Sequence, residues 1–224
     1  MKKYFAMFFM LQILPVYAGY SLSPISIDII PSSNGEHFVL QSQSDSPLYI
    51  TSNLVNVVSP ATENENENEV SGVRTLKLFP DKFILHPHQK KKVQLINLRG
   101  SVDTVEVYRA YFTSVPYVED EGSSSQTIIS YSMGGIVRLI PDNTFVEFID
   151  TSEGIKNNGN VHYTILKECI GKSQLQCTWQ EVGYYKNIYP GQVYQWRSDD
   201  DESVYQIEYE YVGGTNKVEI KKRS

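Results

Sequence analysis

The sequence predicts an all-β protein of two sandwich domains, and three observations carry that prediction. Apolar residues recur with period two wherever the chain is apolar, and no helical stripe of comparable length follows the first eighteen residues. Candidate strands are short, about a dozen in all, and are separated by clusters of Gly, Pro, Asn, Asp or Ser. The stretch from Gly19 to Ser224, 206 residues, is long for one small sandwich and comfortable for two of about 100.

The first eighteen residues read as an export leader. Lys2 and Lys3 precede an apolar run from Tyr4 to Val16, and Val16-Tyr17-Ala18 places small residues where a signal peptidase reads them. The run is about 13 residues, too short for a bilayer about 30 Å thick, and no later segment approaches the roughly 20 apolar residues of a membrane helix. Cleavage after Ala18 is expected to leave a soluble, exported chain.

Strand candidates follow in order at 20–30, 37–42, 47–58, 74–79, 92–98, 105–112, 127–140, 145–150, 161–168, 176–182, 192–197, 204–211 and 216–221. The clearest alternation sets Val105, Val107 and Tyr111 against Tyr108, Ala110 and Phe112. Tyr205, Ile207, Tyr209 and Tyr211 alternate with Val204, Gln206, Glu208 and Glu210, the pattern of a strand with one wet face. Between 59 and 72 the run from Glu63 to Glu69 alternates Glu with Asn, has nothing to bury and reads as a solvated loop. It lacks the spaced carboxylates and turn glycine of a calcium loop. Pro141-Asp142-Asn143 ends one long strand before another begins at Phe145, which sets domains at 19–141 and 144–224.

Composition and motifs narrow the chemistry. Removing Lys2 and Lys3 moves the formal net charge from −6 to −8, which argues against nucleic acid as a partner. Cys169 and Cys177, the only cysteines, lie eight positions apart in an exported chain and read as a local disulfide, contributing roughly 2–3 kcal/mol. Two thiols without a nearby His make a poor zinc site, so no metal is expected. His86-Pro87-His88 lies between strand-like runs and reads as a turn. Lys90-Lys91-Lys92 opens the next strand as a solvated edge. No Gly-x-Ser-x-Gly, His-Glu-x-x-His or phosphate-cradling loop occurs, so neither an enzyme nor a cofactor is expected.

The segment from Thr127 to Pro141 is long for a strand, since five or six residues are usual. One parity carries Ile129, Tyr131, Met133 and Val137, the other Ile128, Ser130, Ser132 and Arg138. Its pattern alone is that of an ordinary sandwich strand with a glycine bulge at Gly134-Gly135.

Several segments together resemble the periplasmic chaperones of the chaperone–usher pathway, in the alternate branch serving class 5, colonisation-factor fimbriae. They are Ser23-Pro24-Ile25-Ser26, Phe83-Ile84-Leu85, Lys92-Val93-Gln94-Leu95, the run from Glu106 to Phe112 before Val115, and the run from Ile136 to Pro141. Asn157-Asn158-Gly159-Asn160-Val161, the two cysteines and Ile188-Tyr189-Pro190-Gly191 come next in order. The resemblance implies two immunoglobulin-like domains set in an L, a periplasmic location, fimbrial subunits and an outer-membrane usher as partners, and no cofactor. It also raises a self-capping homo-oligomer. A fimbrial subunit of this kind is a sandwich lacking its last strand, and the chaperone lays its own strand into the open groove. Here the groove-filling side chains would be Ile129, Tyr131 and Met133, each contributing about 1.5–3 kcal/mol if fully buried. The resemblance further implies a pair of basic residues gripping the subunit's terminal carboxylate. Arg138 fits the first role. The second departs from the pattern, because the first strand offers Ile27 and Asp28 and no basic residue, which leaves Arg109 as the substitute. A different class of reading is a secreted adhesin or carbohydrate-binding protein using the sixteen tyrosines and two tryptophans as sugar platforms.

Overall fold

The structure is a computed structural model, and it describes residues 19–30, 35–72, 76–116, 130–171, 176–183, 187–195 and 203–219. Ten strands belong to the first half of the chain: β1 (Tyr20–Ser23), β2 (Ser26–Ile29), β3 (His37–Ser42), β4 (Leu48–Val58), β5 (Asn66–Glu69), β6 (Leu76–Phe79), β7 (Lys82–Leu85), β8 (Lys90–Asn97), β9 (Glu106–Pro116) and β10 (Tyr131–Leu139). One sheet has the order β1-β3-β8-β6. The other has the order β2-β10-β9-β4-β5, with β7 also paired to β4.

Alternation builds the core between these sheets. Phe38 and Leu40 of β3 and Val93 and Leu95 of β8 face Leu48 and Ile50 of β4, Ala110 and Phe112 of β9, and Val137 and Leu139 of β10. The rings of Phe38 and Phe112 meet edge to face at 5.4 Å across the two layers.

The second half supplies β11 (Phe148–Asp150), β12 (Gly154–Asn157), β13 (Tyr163–Gly171), β14 (Cys177–Glu181), β15 (Asn187–Ile188), β16 (Val193–Gln195), β17 (Ser203–Tyr211) and β18 (Gly214–Glu219). Their sheets have the orders β11-β12-β16 and β14-β13-β17-β18, with β15 on β13. Ile155, Tyr163, Ile165, Ile188 and Ile207 are buried in a second core. The disulfide joins Cys169 in β13 to Cys177 in β14, with Cα atoms 5.2 Å apart.

A third apolar cluster links the two halves. It unites Val57 of β4, Val107 of β9 and the nearby Val105 and Ile140 with Val161 and Tyr189. This explains why β4 loses strict alternation. Its inner-face residues Leu48, Ile50 and Leu54 are buried by the first core, while Val57 on the opposite face is buried by the second domain. Asn160 adds polar ties: its carboxamide donates to the carbonyls of Asp103 at 3.0 Å and Asn143 at 2.8 Å, and accepts from the Phe145 N–H at 2.8 Å. The Gln192 side chain donates to the Pro60 carbonyl at 2.6 Å.

Three sequence expectations change. The strand expected at 20–30 is two strands in different sheets: β1 pairs with β3, and β2 pairs parallel to β10. The chain crosses between layers around Pro24, which has no N–H to give to a ladder. The acidic stretch is not wholly loop, because Asn66–Glu69 forms edge strand β5 on β4 with all four residues exposed. Its backbone pairs with β4, and the charged side chains along it blunt the sheet edge. No bulge occurs at Gly134-Gly135, where the register with β9 is unbroken. His86-Pro87-His88 forms the expected turn, with the Gln89 N–H bonded to the His86 carbonyl at 3.1 Å.

Candidate functional site

The site is organised by β10, which has different neighbours along its two halves. Over its whole length it pairs with β9, from Tyr131 opposite Ser114 to Leu139 opposite Glu106. On its other edge, β2 covers only Ile136 to Leu139. The N–H groups of Ile136 and Ile140 donate to the carbonyls of Ile25 and Ile29, each at 2.9 Å. Backbone groups of one parity therefore point to this edge. The same parity places the N–H and C=O of Ser132 and Gly134 on it, and among the described residues no strand lies beside them. The result is a short free edge next to a fully paired segment.

Side-chain parity divides the strand's two faces. Tyr131 and Met133 are half-buried against the rim of the first core, while Ser132 and Gly134 are exposed on the other face. Tyr20 supports this rim. Its fully buried ring stacks on Tyr131 at 5.3 Å, and its hydroxyl accepts from the Met133 N–H at 3.2 Å and donates to the Phe112 carbonyl. Burial pushes that hydroxyl's pKa up to about 12, so it remains a donor. The Tyr131 hydroxyl is itself buried without a hydrogen-bond partner among the described residues. Ile129, the third expected groove-filling residue, lies outside the described residues.

The two adjacent glycines have separate reasons. A Cβ on Gly135 would lie 2.5 Å from Cε1 of Phe38, so the core ring occupies the space of a side chain. A Cβ on Gly134 would meet Cε1 of Tyr111 at 3.3 Å and the Arg109 side chain at 3.5 Å, a tight but nearly ordinary fit.

Arg138 sits in the junction between the domains. Its Nε donates to Asp28 Oδ1 at 2.6 Å and a terminal nitrogen donates to Ser26 Oγ at 2.9 Å. Tyr189 of the second domain also hydrogen-bonds to it. The Arg138 side chain is 14% exposed. Burial works against its charge, but the hydrogen bond and charge of Asp28, joined by Tyr189, hold the guanidinium protonated beyond the usual arginine range. His162 lies beside this group, 7% exposed, with its ring stacked on Tyr189 at 5.4 Å.

Arg109, expected as a second cation for one carboxylate, is the register partner of Ile136 on the face that also carries Arg138, and two acids hold its side chain. Its guanidinium spans Glu65, at 2.7 Å, and Glu67, with the Tyr111 hydroxyl donating to Glu67 at 2.8 Å. The acidic stretch expected as a solvated loop is thus the partner of Arg109. The residues that sequence reasoning missed are Tyr20, Tyr189, His162 and Asp28 as a counter-ion. Only Asp28 carried a signal, as an acid where the resemblance leads one to expect a base.

No family model matches the chain. It is 27% identical over 215 residues to an Escherichia coli protein named as a CS1 fimbrial subunit, with 85% of each covered. The class 5 fimbriae chaperone CfaA aligns with a TM-score of 0.70 at 20% identity, over 91% of this chain and all of that one. A chain from the chaperone–tip adhesin complex of CFA/I fimbriae biogenesis aligns with a TM-score of 0.64 at 24% identity, over 87% and 92%. The Escherichia coli chaperone DraB aligns with a TM-score of 0.54 at 15% identity, over 91% and 98%. The chain therefore has the two-domain β-sandwich fold of the fimbrial chaperones.

Proposed function

We propose that this chain is a periplasmic chaperone, exported by residues 1–18, that captures fimbrial subunits by lending the free edge of β10 and hands them to an outer-membrane usher. The observation that carries this reading is the position of that edge. Among the described residues no strand pairs with the outward backbone groups of Ser132 and Gly134, which lie beside half-buried Tyr131 and Met133 at the rim of the first core. An incomplete sandwich laid against the edge would gain main-chain hydrogen bonds from one row and apolar filling from the other. Ile129 would extend the filled row, and Arg138 would take the subunit's terminal carboxylate. Arg109 stays with Glu65 and Glu67. Subunit release is strand exchange, so no bond is cleaved and no nucleotide is consumed.

The name of the CS1 relative raises the reading that this chain is itself a fimbrial subunit. Two closed sandwiches, the first completed by its own β10, fit a donor better than a domain that lacks a strand.

Co-expression with fimbrial subunits tests the proposal. The wild-type chain should raise the soluble yield of its subunit and co-purify with it one to one. Met133→Asp should fold yet lose capture by a factor on the order of a hundred or more, since filling is lost and a carboxylate must be desolvated. An unchanged soluble yield with the wild-type chain, or full capture by Met133→Asp, contradicts it.

A further inference from the structure

We infer that Asp28 restrains Arg138: its carboxylate neutralises the guanidinium from within, so that a terminal carboxylate entering the cleft is held less tightly than by a lone arginine. This rests on the reading of Arg138 as the carboxylate anchor. The pair is built into the sheet: β2 and β10 run parallel, Arg138 is the register partner of Asp28, and both side chains project from the same face. Asp28 takes Nε at 2.6 Å, Ser26 takes a terminal N–H at 2.9 Å, and Tyr189 takes another contact from the second domain. A guanidinium has five N–H donors, so two remain for a ligand.

Charge decides how the pair treats an incoming anion. An isolated Arg138 would draw an anion into a cleft where its side chain is only 14% exposed. Paired with Asp28, the unit is neutral and attracts an anion far less. A carboxylate that reaches the two remaining donors also lies about one guanidinium width from the Asp28 carboxylate, where like charges repel strongly at low effective dielectric. Asp28 therefore holds down carboxylate affinity, which suits a partner that must later be given up. If Asp28 instead served to orient Arg138, its removal would weaken the ligand, so the two roles differ in sign.

The test tracks the Nε–H resonance of Arg138 in ¹⁵N-arginine-labelled protein, assigned with Arg138→Gln, during titration with N-acetylalanine or its amide. Asp28→Asn and Asp28→Ser, two replacements that each leave a polar partner for Nε, should bind N-acetylalanine on the order of tenfold more tightly than wild type. The amide should bind none of them. Equal or weaker carboxylate binding in both Asp28 variants, with acid still preferred over amide, overturns the restraint by Asp28 while leaving the anchor intact. Failure of every protein to distinguish acid from amide overturns the anchor reading and the inference with it.

Discussion

Replacing Gly135 with leucine is expected to lower the unfolding temperature of the first sandwich by roughly 10 °C or more. The new Cβ would fall 2.5 Å from Cε1 and 2.8 Å from Cζ of Phe38. Phe38 cannot swing aside, because it is fully buried in the opposite sheet with its ring against Phe112. Overpacking of this kind costs about 1–3 kcal/mol, and the larger side chain puts leucine at the upper end or beyond. Gly134→Ala is the internal comparison, since its nearest contact, 3.3 Å from Tyr111, lies on the exposed face and should cost less than about 1 kcal/mol. Phe38→Leu should recover part of the Gly135→Leu loss, because shared contacts make the two changes non-additive. Equal loss from the two glycine variants, measured by thermal unfolding, would show that the ring does not set the constraint.

Acid should weaken the fold through His162. Burial, and secondarily the positive charge of Arg138, depress its pKa from the ordinary 6.5 to about 4, although Asp28 opposes the shift. In the unfolded chain the imidazole takes its proton near pH 6.5, whereas in the folded chain it stays neutral until about pH 4. The unfolded state thus binds more protons across that window. The stability contribution is complete above pH 6.5 and is lost as pH falls toward 4, by up to about 3 kcal/mol. His162→Gln removes the titration, so its denaturation midpoint should fall less than that of wild type between about pH 7 and about pH 4.5. Parallel acid losses in the two proteins would contradict this assignment.

Strand content was legible in the sequence because alternation records which face a residue presents. The runs around Phe38-Val39-Leu40 and Tyr209-Glu210-Tyr211 carry that record plainly. Strand β5 carried none, since none of its four residues is apolar or buried and its place is set by backbone pairing to β4. The same blindness hid the role of Glu65 and Glu67 with Arg109, whose positions lie more than forty residues away in the chain. Gly135 could not be explained without knowing that Phe38 projects from the opposite layer. Asp28 and Arg138 are 110 residues apart, and only the parallel register of β2 with β10 places them side by side. Alternation thus reveals faces, while the site depends on which faces meet.

Amide hydrogen exchange resolved by residue, on the free chain and on its complex with a fimbrial subunit, tests the lending of β10 most directly. In the free chain the outward N–H groups of Ser132 and Gly134 should exchange rapidly, while those of Met133, bonded to Tyr20, and Ile136, bonded to Ile25, should be protected. Binding should protect Ser132 and Gly134 as the ladder to the subunit forms. A stable complex in which those two amides still exchange as fast as in the free chain would contradict the proposed donation of this edge.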